Sequence, residues 1–161
     1  MIRIDTQGAI HENRALLSDF EHLYYEAFPD VNERENFHDI CGRINQNNLS
    51  LRSLIALTNS NEGILGGFVV DIYENTWFHL IYLVVKPEAR NQGIGKQLMK
   101  KAEQLSLQNN HNKIAVISGV GVRNYYRKLG YSLKQTYMVK TYSIFYVFYN
   151  RIMMYITLLM Y

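Results

Sequence analysis

The spacing of apolar residues changes twice along the chain, from a helical period to an alternating one and back. Between residues 13 and 28 apolar side chains recur every three or four positions, and Pro29 is expected to stop a helix there. A shorter helix is predicted over residues 33–44, and a short first strand over residues 2–5. The first third of the chain therefore predicts one strand followed by two helices.

The middle of the chain has the composition of a sheet. Three segments rich in β-branched and aromatic residues cover residues 53–59, 64–73 and 77–85, and turns that contain Asn, Gly or Glu separate them. They predict three strands joined by hairpins. The third segment is apolar on both faces, as expected of a central strand. A helical period then returns from Gly93 to Gln108.

The pattern ends with further α and β segments. Residues 113–118 predict a buried strand, residues 122–130 a short helix capped by Gly130, and residues 131–140 one bent strand or a hairpin. The element order is strand, two helices, three strands, helix, strand, helix, strands. This order predicts an α/β fold, a mixed sheet with helices on both faces.

The C-terminal segment differs in composition from the rest. Residues 142–161 are almost wholly apolar over about the length of a membrane span, but Asn150 and Arg151 interrupt them. An arginine near the centre of a span costs roughly 2.5–3.5 kcal/mol, and the tyrosines and β-branched residues suit a strand followed by a packed helix equally well. We therefore expect a domain at residues 1–140 and a tail at 141–161 that packs on the domain or on a second subunit, rather than a membrane anchor.

Composition narrows the class of protein. The chain has 161 residues and a net charge of only +3 with mixed signs, which is weak evidence for a nucleic-acid partner. A single cysteine, Cys41, excludes an intramolecular disulfide and cysteine-rich metal sites, and the five histidines lack metal-ligand spacing, so we expect no metal. The first residues lack the pattern of a secretory signal, and a cytoplasmic location is the expectation.

A glycine-rich turn is the strongest candidate for a binding site. Gly93 and Gly95 stand at the entry to a predicted helix, where backbone N–H groups and the helix dipole together favour a phosphate or pyrophosphate. Two common phosphate loops are excluded, because a dinucleotide fingerprint needs glycine at Leu98 and a Walker loop needs Ser or Thr at Gln97. The alternative is a strand-to-helix turn without a ligand.

Two motifs at a fixed separation favour the ligand-binding interpretation. The segment from Arg90 to Gly95 fits the signature [QR]-x-x-G-x-[GA], and the segment from Tyr125 to Tyr131 is similar to [FY]-Y-x-K-x-G-[FY]. Both are motifs of the GNAT acetyltransferase superfamily, whose element order the chain also resembles over its first 140 residues. The resemblance implies a splayed central sheet and an enzyme that transfers acetyl from acetyl-CoA, its co-substrate, to a primary amine of a small molecule or protein by direct attack.

The resemblance also implies the residues that hold acetyl-CoA. The backbone of the strand before the loop would pair with the pantetheine arm, through Leu83, Val84 and Val85, and an amide near Val84 would meet the thioester oxygen. The loop would bind the pyrophosphate. Its implied cofactor-binding residues are Arg90, Asn91, Gln92, Gly93, Ile94, Gly95 and Lys96.

The resemblance implies one catalytic residue and leaves another open. Tyr126 aligns with the tyrosine that protonates the departing thiolate, and its neighbour Tyr125 is expected to face the core or the acceptor. His79 is the candidate base, directly or through water, with Asp71 or Glu74 lining the same slot. The alternative is that Tyr126 and His79 only pack.

The acceptor side is expected to lie under the first two helices. Acidic residues there suit a cationic amine, although a solvated acidic face explains them equally well. These residues are Asp30, Glu33, Glu35 and Asp39.

Residues 113–140 resemble a narrower family, the acetyltransferase domain of the Elongator catalytic subunit, which modifies wobble uridines of tRNA. That subunit also carries a cysteine-ligated iron–sulfur cluster, which a chain with one cysteine cannot build. The resemblance gives an alternative function, an acetyl-CoA- and tRNA-binding module with little independent turnover. Nucleic acid is therefore a partner that we consider but do not favour, a membrane is not expected, and a homodimer is a further alternative.

Overall fold

A computed structural model of the chain describes residues 3–6, 14–45, 51–60, 63–73 and 77–159. The strands are β1 (Arg3–Thr6), β2 (Leu51–Ser60), β3 (Gly63–Tyr73), β4 (Trp77–Val85), β5 (Lys113–Ile117), β6 (Ser132–Lys134) and β7 (Tyr137–Thr141). The helices are α1 (Arg14–Ala27), α2 (Phe37–Asn45), α3 (Ile94–Gln108), α4 (Arg123–Lys128) and α5 (Ile144–Leu159). The predicted mixed α/β fold is confirmed.

The described strands form one seven-stranded sheet in the order β1-β2-β3-β4-β5-β7-β6. Strands β1 to β4 are antiparallel neighbours, as the predicted hairpins require. Strand β5 lies parallel to β4, because α3 carries the chain across the sheet between them. Strands β7 and β6 continue antiparallel beyond β5, so residues 131–140 form a hairpin rather than one bent strand.

Each face of the sheet has its own buried core. Helix α3 packs on one face, where Leu98 and Ala102 contact a cluster that includes Phe78 and Ile114. Helices α1 and α2 pack on the other, where Phe20 and Ile40 belong to a second cluster with Val69, Tyr82 and Val84. Because one core covers each face of β4, the residues of this strand are apolar on both faces.

Helix α4 covers Arg123–Lys128 within the predicted residues 122–130, and a separate 3₁₀ turn at Val120–Val122 precedes it. Its end follows the prediction. Gly130 has a φ of 87°, its N–H donates to the carbonyl of Arg127, and the N–H of Tyr131 donates to the carbonyl of Tyr126. These two bonds form a Schellman motif, which a glycine in the left-handed region permits.

The tail is a helix and not a strand followed by a helix. Strand β7 ends at Thr141, and α5 begins three residues later and contacts α3. Several of its large apolar side chains are exposed, with Phe145 at 88% and Leu159 at 86%. Within the part of the chain that the structure describes, no helix has the length and apolar character to cross a membrane.

Candidate active site

Strands β4 and β5 separate halfway along their length. They pair only from Phe78 opposite Ile114 to Leu80 opposite Val116, although β4 continues to Val85. Beyond this point the two strands have no register pair in the described sheet, so β4 has an unpaired edge in the middle of the sheet. Such an edge presents backbone donors and acceptors in a row, which can bind an extended ligand.

A β-bulge at Ile81 lies where the strands separate. Val69 pairs with Tyr82 and Val70 pairs with Leu80, which leaves Ile81 as the additional residue on β4. One extra residue exchanges the two faces of a strand. Before the bulge Leu80 packs on the α3 side, whereas after it Tyr82 packs on the α1 and α2 side.

The direction of the β4 backbone follows from its contacts with β3. The N–H of Lys86 donates to the carbonyl of Leu65 at 2.9 Å, and the carbonyl oxygen of Val84 lies against Gly66. Because backbone groups alternate in direction along a strand, those of Leu83 and Val85 point to the unpaired edge. Within the predicted trio, Leu83 and Val85 present amides to the gap, and Val84 is buried at 4% exposure.

The glycine-rich turn follows β4 directly and has the backbone of an anion-binding nest. Asn91 and Gly93 have φ values of 63° and 79°, both in the left-handed region. Gln97 donates to the carbonyl of Gly93 at 3.1 Å, which closes the first turn of α3 and leaves the preceding N–H groups directed out of the helix end. A Cβ on Gly93 would meet no atom within 4 Å, so the space above the turn is open.

The charged side chains of the turn are exposed and its apolar one is buried. Arg90 and Lys96 reach solvent, whereas Ile94 is 1% exposed and anchors the helix start in the core. Gln92 donates to the carbonyl of Glu88 at 3.0 Å, which ties the loop to a 3₁₀ turn at Pro87–Ala89. Ile94 and Gln92 thus anchor the turn to the rest of the protein, while its charged side chains face the solvent.

The two adjacent tyrosines of α4 differ in environment. Tyr126 is 6% exposed and packs edge to face against Tyr131, and burial, followed by the neighbouring Tyr125, raises its pKa to about 12. The prediction for Tyr125 is wrong in detail. Its hydroxyl lies 3.0 Å from the position of a Cβ on Gly95, so it covers the start of α3 rather than the core or the acceptor side.

Two buried polar atoms face no described partner on the segment after β5. The hydroxyl of Ser118 and the Nε of Arg123 have no hydrogen-bond partner among the residues that the structure describes. Ser118 directly follows β5, and Arg123 is the first residue of α4.

His79 lies on the face of the sheet that α1 and α2 partly cover. Its ring stacks on Tyr137 with 4.9 Å between centroids, and Asp71 is its register partner on β3. Burial lowers the pKa of His79 below 6.5, and the Asp71 carboxylate opposes that shift. The imidazole is therefore largely neutral at pH 7 and able to accept a proton.

The connection between α1 and α2 roofs this face and is anchored to β4. The hydroxyls of Tyr24 and Tyr82 both accept the N–H of Glu35, at 3.1 and 3.0 Å. The Glu35 carboxylate pairs with Arg43 at 2.7 Å, and Arg43 also reaches Asp71 at 3.7 Å. Of the four acidic residues predicted for this region, Glu35 is therefore paired within the protein, whereas Asp30, Glu33 and Asp39 are exposed.

The structure brings the predicted residues into two groups. The β4 edge and the glycine-rich turn are continuous, with Tyr125 above the turn, and His79 lies near the strand separation with Asp71. Glu74, the other candidate beside His79, lies outside the described residues. Sequence reasoning missed the role of Tyr125 and the bulge at Ile81, since an apolar strand gives no signal of an extra residue. In the described ranges no three His, Cys, Asp or Glu side chains form a group that could hold a metal ion.

Comparison with known proteins agrees with this geometry. The model of the acetyltransferase (GNAT) family matches residues 15–131, which is more than half of the chain. Elongator complex protein 3 of Bos taurus is 57% identical over 53 residues, 32% of this chain and 10% of that protein. A tRNA uridine(34) acetyltransferase of Methanocaldococcus infernus is 42% identical over 71 residues, 44% of this chain and 11% of that protein. The matched segments therefore span about a tenth of the length of these relatives.

Solved structures show the same fold. A GNAT family acetyltransferase from Brucella melitensis, in complex with acetyl-CoA, has a TM-score of 0.65 and 16% identity, and the match covers 89% of each chain. An open strand edge that leads into a turn with N–H groups directed outwards suits a long ligand with an anionic group at one end. The chain belongs to the acetyltransferase (GNAT) family, with acetyl-CoA as its co-substrate.

Proposed function

We propose that the protein transfers the acetyl group of acetyl-CoA to a primary amine of a small molecule or protein, by direct attack of the amine on the thioester. The observation that carries this proposal is the continuity of the unpaired β4 edge with the glycine-rich turn. One site can then hold an extended amide-containing arm and a diphosphate together.

The residues that would hold acetyl-CoA follow from the backbone directions. Leu83 and Val85 would pair with the pantetheine arm through their backbone groups, which point to the unpaired edge. The N–H groups of the turn, residues 91–96, would bind the diphosphate, and Arg90 and Lys96 would add positive charge. Most of these contacts are with the main chain, so the backbone conformation decides affinity more than side-chain identity does.

The reaction needs an oxyanion donor, a base and an acid. The amine nitrogen forms a bond to the thioester carbon while negative charge develops on the carbonyl oxygen, which an edge amide of Leu83 or Val85 would stabilise. The intermediate then expels the thiolate. The proton that the amine loses passes to His79, directly or through water, and the proton that the thiolate gains comes from Tyr126.

The hydroxyl of Tyr126 is protonated at neutral pH and so can donate, although burial raises its pKa to about 12 and makes it a weaker acid than an ordinary tyrosine. Phe in place of Tyr126 should lower kcat by about 100- to 1000-fold, the lower part of a general acid's usual contribution, with KM for acetyl-CoA little changed. Tyr125→Phe is the matched control on the same helix. It should change the affinity for acetyl-CoA, because Tyr125 contacts the start of α3 at Gly95, and leave kcat unchanged. A loss of kcat in Tyr125→Phe with an unchanged kcat in Tyr126→Phe would contradict the role of Tyr126.

The first experiment is calorimetric titration of acetyl-CoA and CoA into the protein and into Gly95→Trp. A side chain at Gly95 points at Tyr125 and Val85, so the indole should fill the turn and abolish binding. Gly42→Trp, on α2 where a Cβ has open space, adds the same bulk elsewhere and should leave binding unchanged. Binding that survives Gly95→Trp would refute the assignment of the turn.

A second candidate function is that of an Elongator-like module that binds acetyl-CoA and tRNA. The observation that favours it is the 42% identity to a protein named tRNA uridine(34) acetyltransferase, over 44% of the chain. Titration of tRNA at increasing salt distinguishes the candidates, because phosphate contacts weaken steeply with salt. Salt-sensitive tRNA binding with little transfer to small-molecule or protein amines would favour this candidate.

A further inference from the structure

A cavity of about 290 Å³ opens on the face of the sheet opposite α3, between β4 and the β6–β7 hairpin. We call it the β4–β7 cavity. The lining residues that matter here are Trp77, His79, Lys113, Lys134, Gln135 and Tyr137. They come from four strands and one turn, so the sheet itself fixes most of the cavity.

The β4–β7 cavity begins where the sheet separates. Tyr137 lies opposite Ile117, the residue that follows the last β4–β5 pair at Val116. His79 precedes Leu80 in that pair and stacks on Tyr137. From the level of Ile117 the cavity extends four residues along β5 to Lys113, about 13 Å at the usual rise per residue. The cavity therefore starts where β4 and β5 separate, beside the proposed acetyl position, and extends towards the first residue of β5.

The chemistry of the lining is aromatic and cationic. Trp77 and Tyr137 flank His79, with Trp77 44% exposed and its ring 5.9 Å from the imidazole. Two ammonium groups, on Lys113 and Lys134, stand at the rim, and the lining residues that the structure describes include no carboxylate. The buried carboxylate of Asp71, the register partner of His79, lies 3.7 Å from the Arg43 guanidinium. The cavity should repel a polycation and attract an anion.

We infer that the β4–β7 cavity binds the acceptor through a planar ring that carries an anionic group, a carboxylate or a phosphate. The ring stacks on the exposed indole of Trp77 beside Tyr137, and the anion lies between Lys113 and Lys134. The volume is at the low end for ligand pockets, so it admits one small ring with its substituent and not a large polyamine. This inference rests on the proposed function, because it places the ring-bearing acceptor beside the proposed acetyl position.

Two probes of the same shape test whether the negative charge of the ligand contributes to binding. 4-Fluorobenzoate and 4-fluorobenzamide differ in charge but hardly in size, and ¹⁹F line broadening measures weak binding of each without any turnover. The benzoate should bind at least tenfold more tightly. Phenyl phosphate, as a competitor of the benzoate, distinguishes the two sources of anion: stronger competition than by benzoate indicates a phosphate ester, and weaker competition a carboxylate, either of which supports the inference.

The protein itself reports where the probe binds. The chain has a single tryptophan, so 5-fluorotryptophan labelling gives one resonance, from Trp77. That resonance should shift with 4-fluorobenzoate. The variant Lys113→Gln/Lys134→Gln should lose the preference for the benzoate, whereas Lys100→Gln, an exposed lysine on α3, should keep it. Thermal unfolding of each variant confirms that it is folded.

The outcomes separate this inference from the proposed function. Equal binding of benzoate and benzamide, or no shift of the Trp77 resonance, overturns the inference even where acetyl-CoA still binds. Loss of acetyl-CoA binding in the calorimetric titration overturns the proposed function while the ¹⁹F result stands by itself. A last step tests the two together: 4-aminobenzoate should be acetylated faster than 4-aminobenzamide by wild type, and not by the double lysine variant.

Discussion

Gly66 on β3 controls the position of the β4 edge, and Gly66→Ala should damage acetyl-CoA binding from a distance. Gly66 pairs with Val85, and a Cβ there would lie well inside 3.0 Å of the Val84 carbonyl oxygen and 3.1 Å from the Cα of Val85. Both obstacles are backbone atoms of a central strand. They cannot rotate away as the end of a long side chain can.

The size of the effect follows from this geometry. To reach ordinary contact distances, β3 and β4 must separate by several tenths of an ångström to about 1 Å. Overpacking of this kind costs about 1–3 kcal/mol of folding free energy. The edge amides of Leu83 and Val85 would move with β4, and a displacement near 1 Å at a reacting centre costs up to about 100-fold in rate.

The assay pairs urea unfolding with calorimetric titration of acetyl-CoA. Gly66→Ala should lower the free energy of unfolding by about 1–3 kcal/mol and weaken acetyl-CoA binding at least tenfold. Gly42→Ala is the matched control. It lies inside α2 with open space around its Cβ, and should raise stability by about 0.5–1 kcal/mol with unchanged affinity. A Gly66→Ala protein with wild-type stability and affinity would refute the argument that β3 holds the edge in place.

Three further predictions follow from other parts of the structure. Gly93→Ala forces a side chain into a φ of 79°, which costs about 1–2 kcal/mol, so acetyl-CoA affinity measured by calorimetry should fall about 5- to 30-fold unless the strain appears as lost stability instead. Because the pKa of His79 is lowered, kcat/KM should fall with decreasing pH only below 6.5, as the imidazole gains a proton, and His79→Gln should remove that acidic limb from the pH–rate profile. Glu103→Gln weakens a half-buried pair with Lys140, whose Nζ lies 2.9 and 3.0 Å from the carboxylate oxygens, and should lower the free energy of unfolding by about 1–2 kcal/mol in urea, whereas a change below 0.3 kcal/mol would show that the pair adds nothing.

Much of the fold could be predicted from the sequence because local signals agreed with the tertiary structure. The segment from residue 77 to 85 is a strand with the predicted bounds, since its β-branched and aromatic residues are buried from both sides. Gly93 and Gly130 were predicted as turn glycines and have positive φ. In each case the conformational preference of the residue type itself favours the structure that it adopts.

The parts that could not be predicted depend on contacts between distant segments. The bulge at Ile81 is set by β3, and nothing in an apolar run marks the extra residue. The place of Tyr125 depends on how α4 docks against α3, because the order Tyr-Tyr does not reveal which ring faces Gly95. The charge of the acceptor side was predicted from acidic residues near α1 and α2, but the pairing of Glu35 with Arg43 is a tertiary fact.

The separation of β4 from β5 also has a consequence for the protein before it meets its co-substrate. A strand edge inside a sheet recruits other strands as readily as an outer edge does, and natural proteins normally cover such edges. Here the pantetheine arm would serve as the cover. We therefore expect the ligand-free protein to be the form more prone to self-association, with fast hydrogen exchange at Leu83 and Val85. A cell rich in acetyl-CoA would then keep the enzyme dispersed as well as supplied.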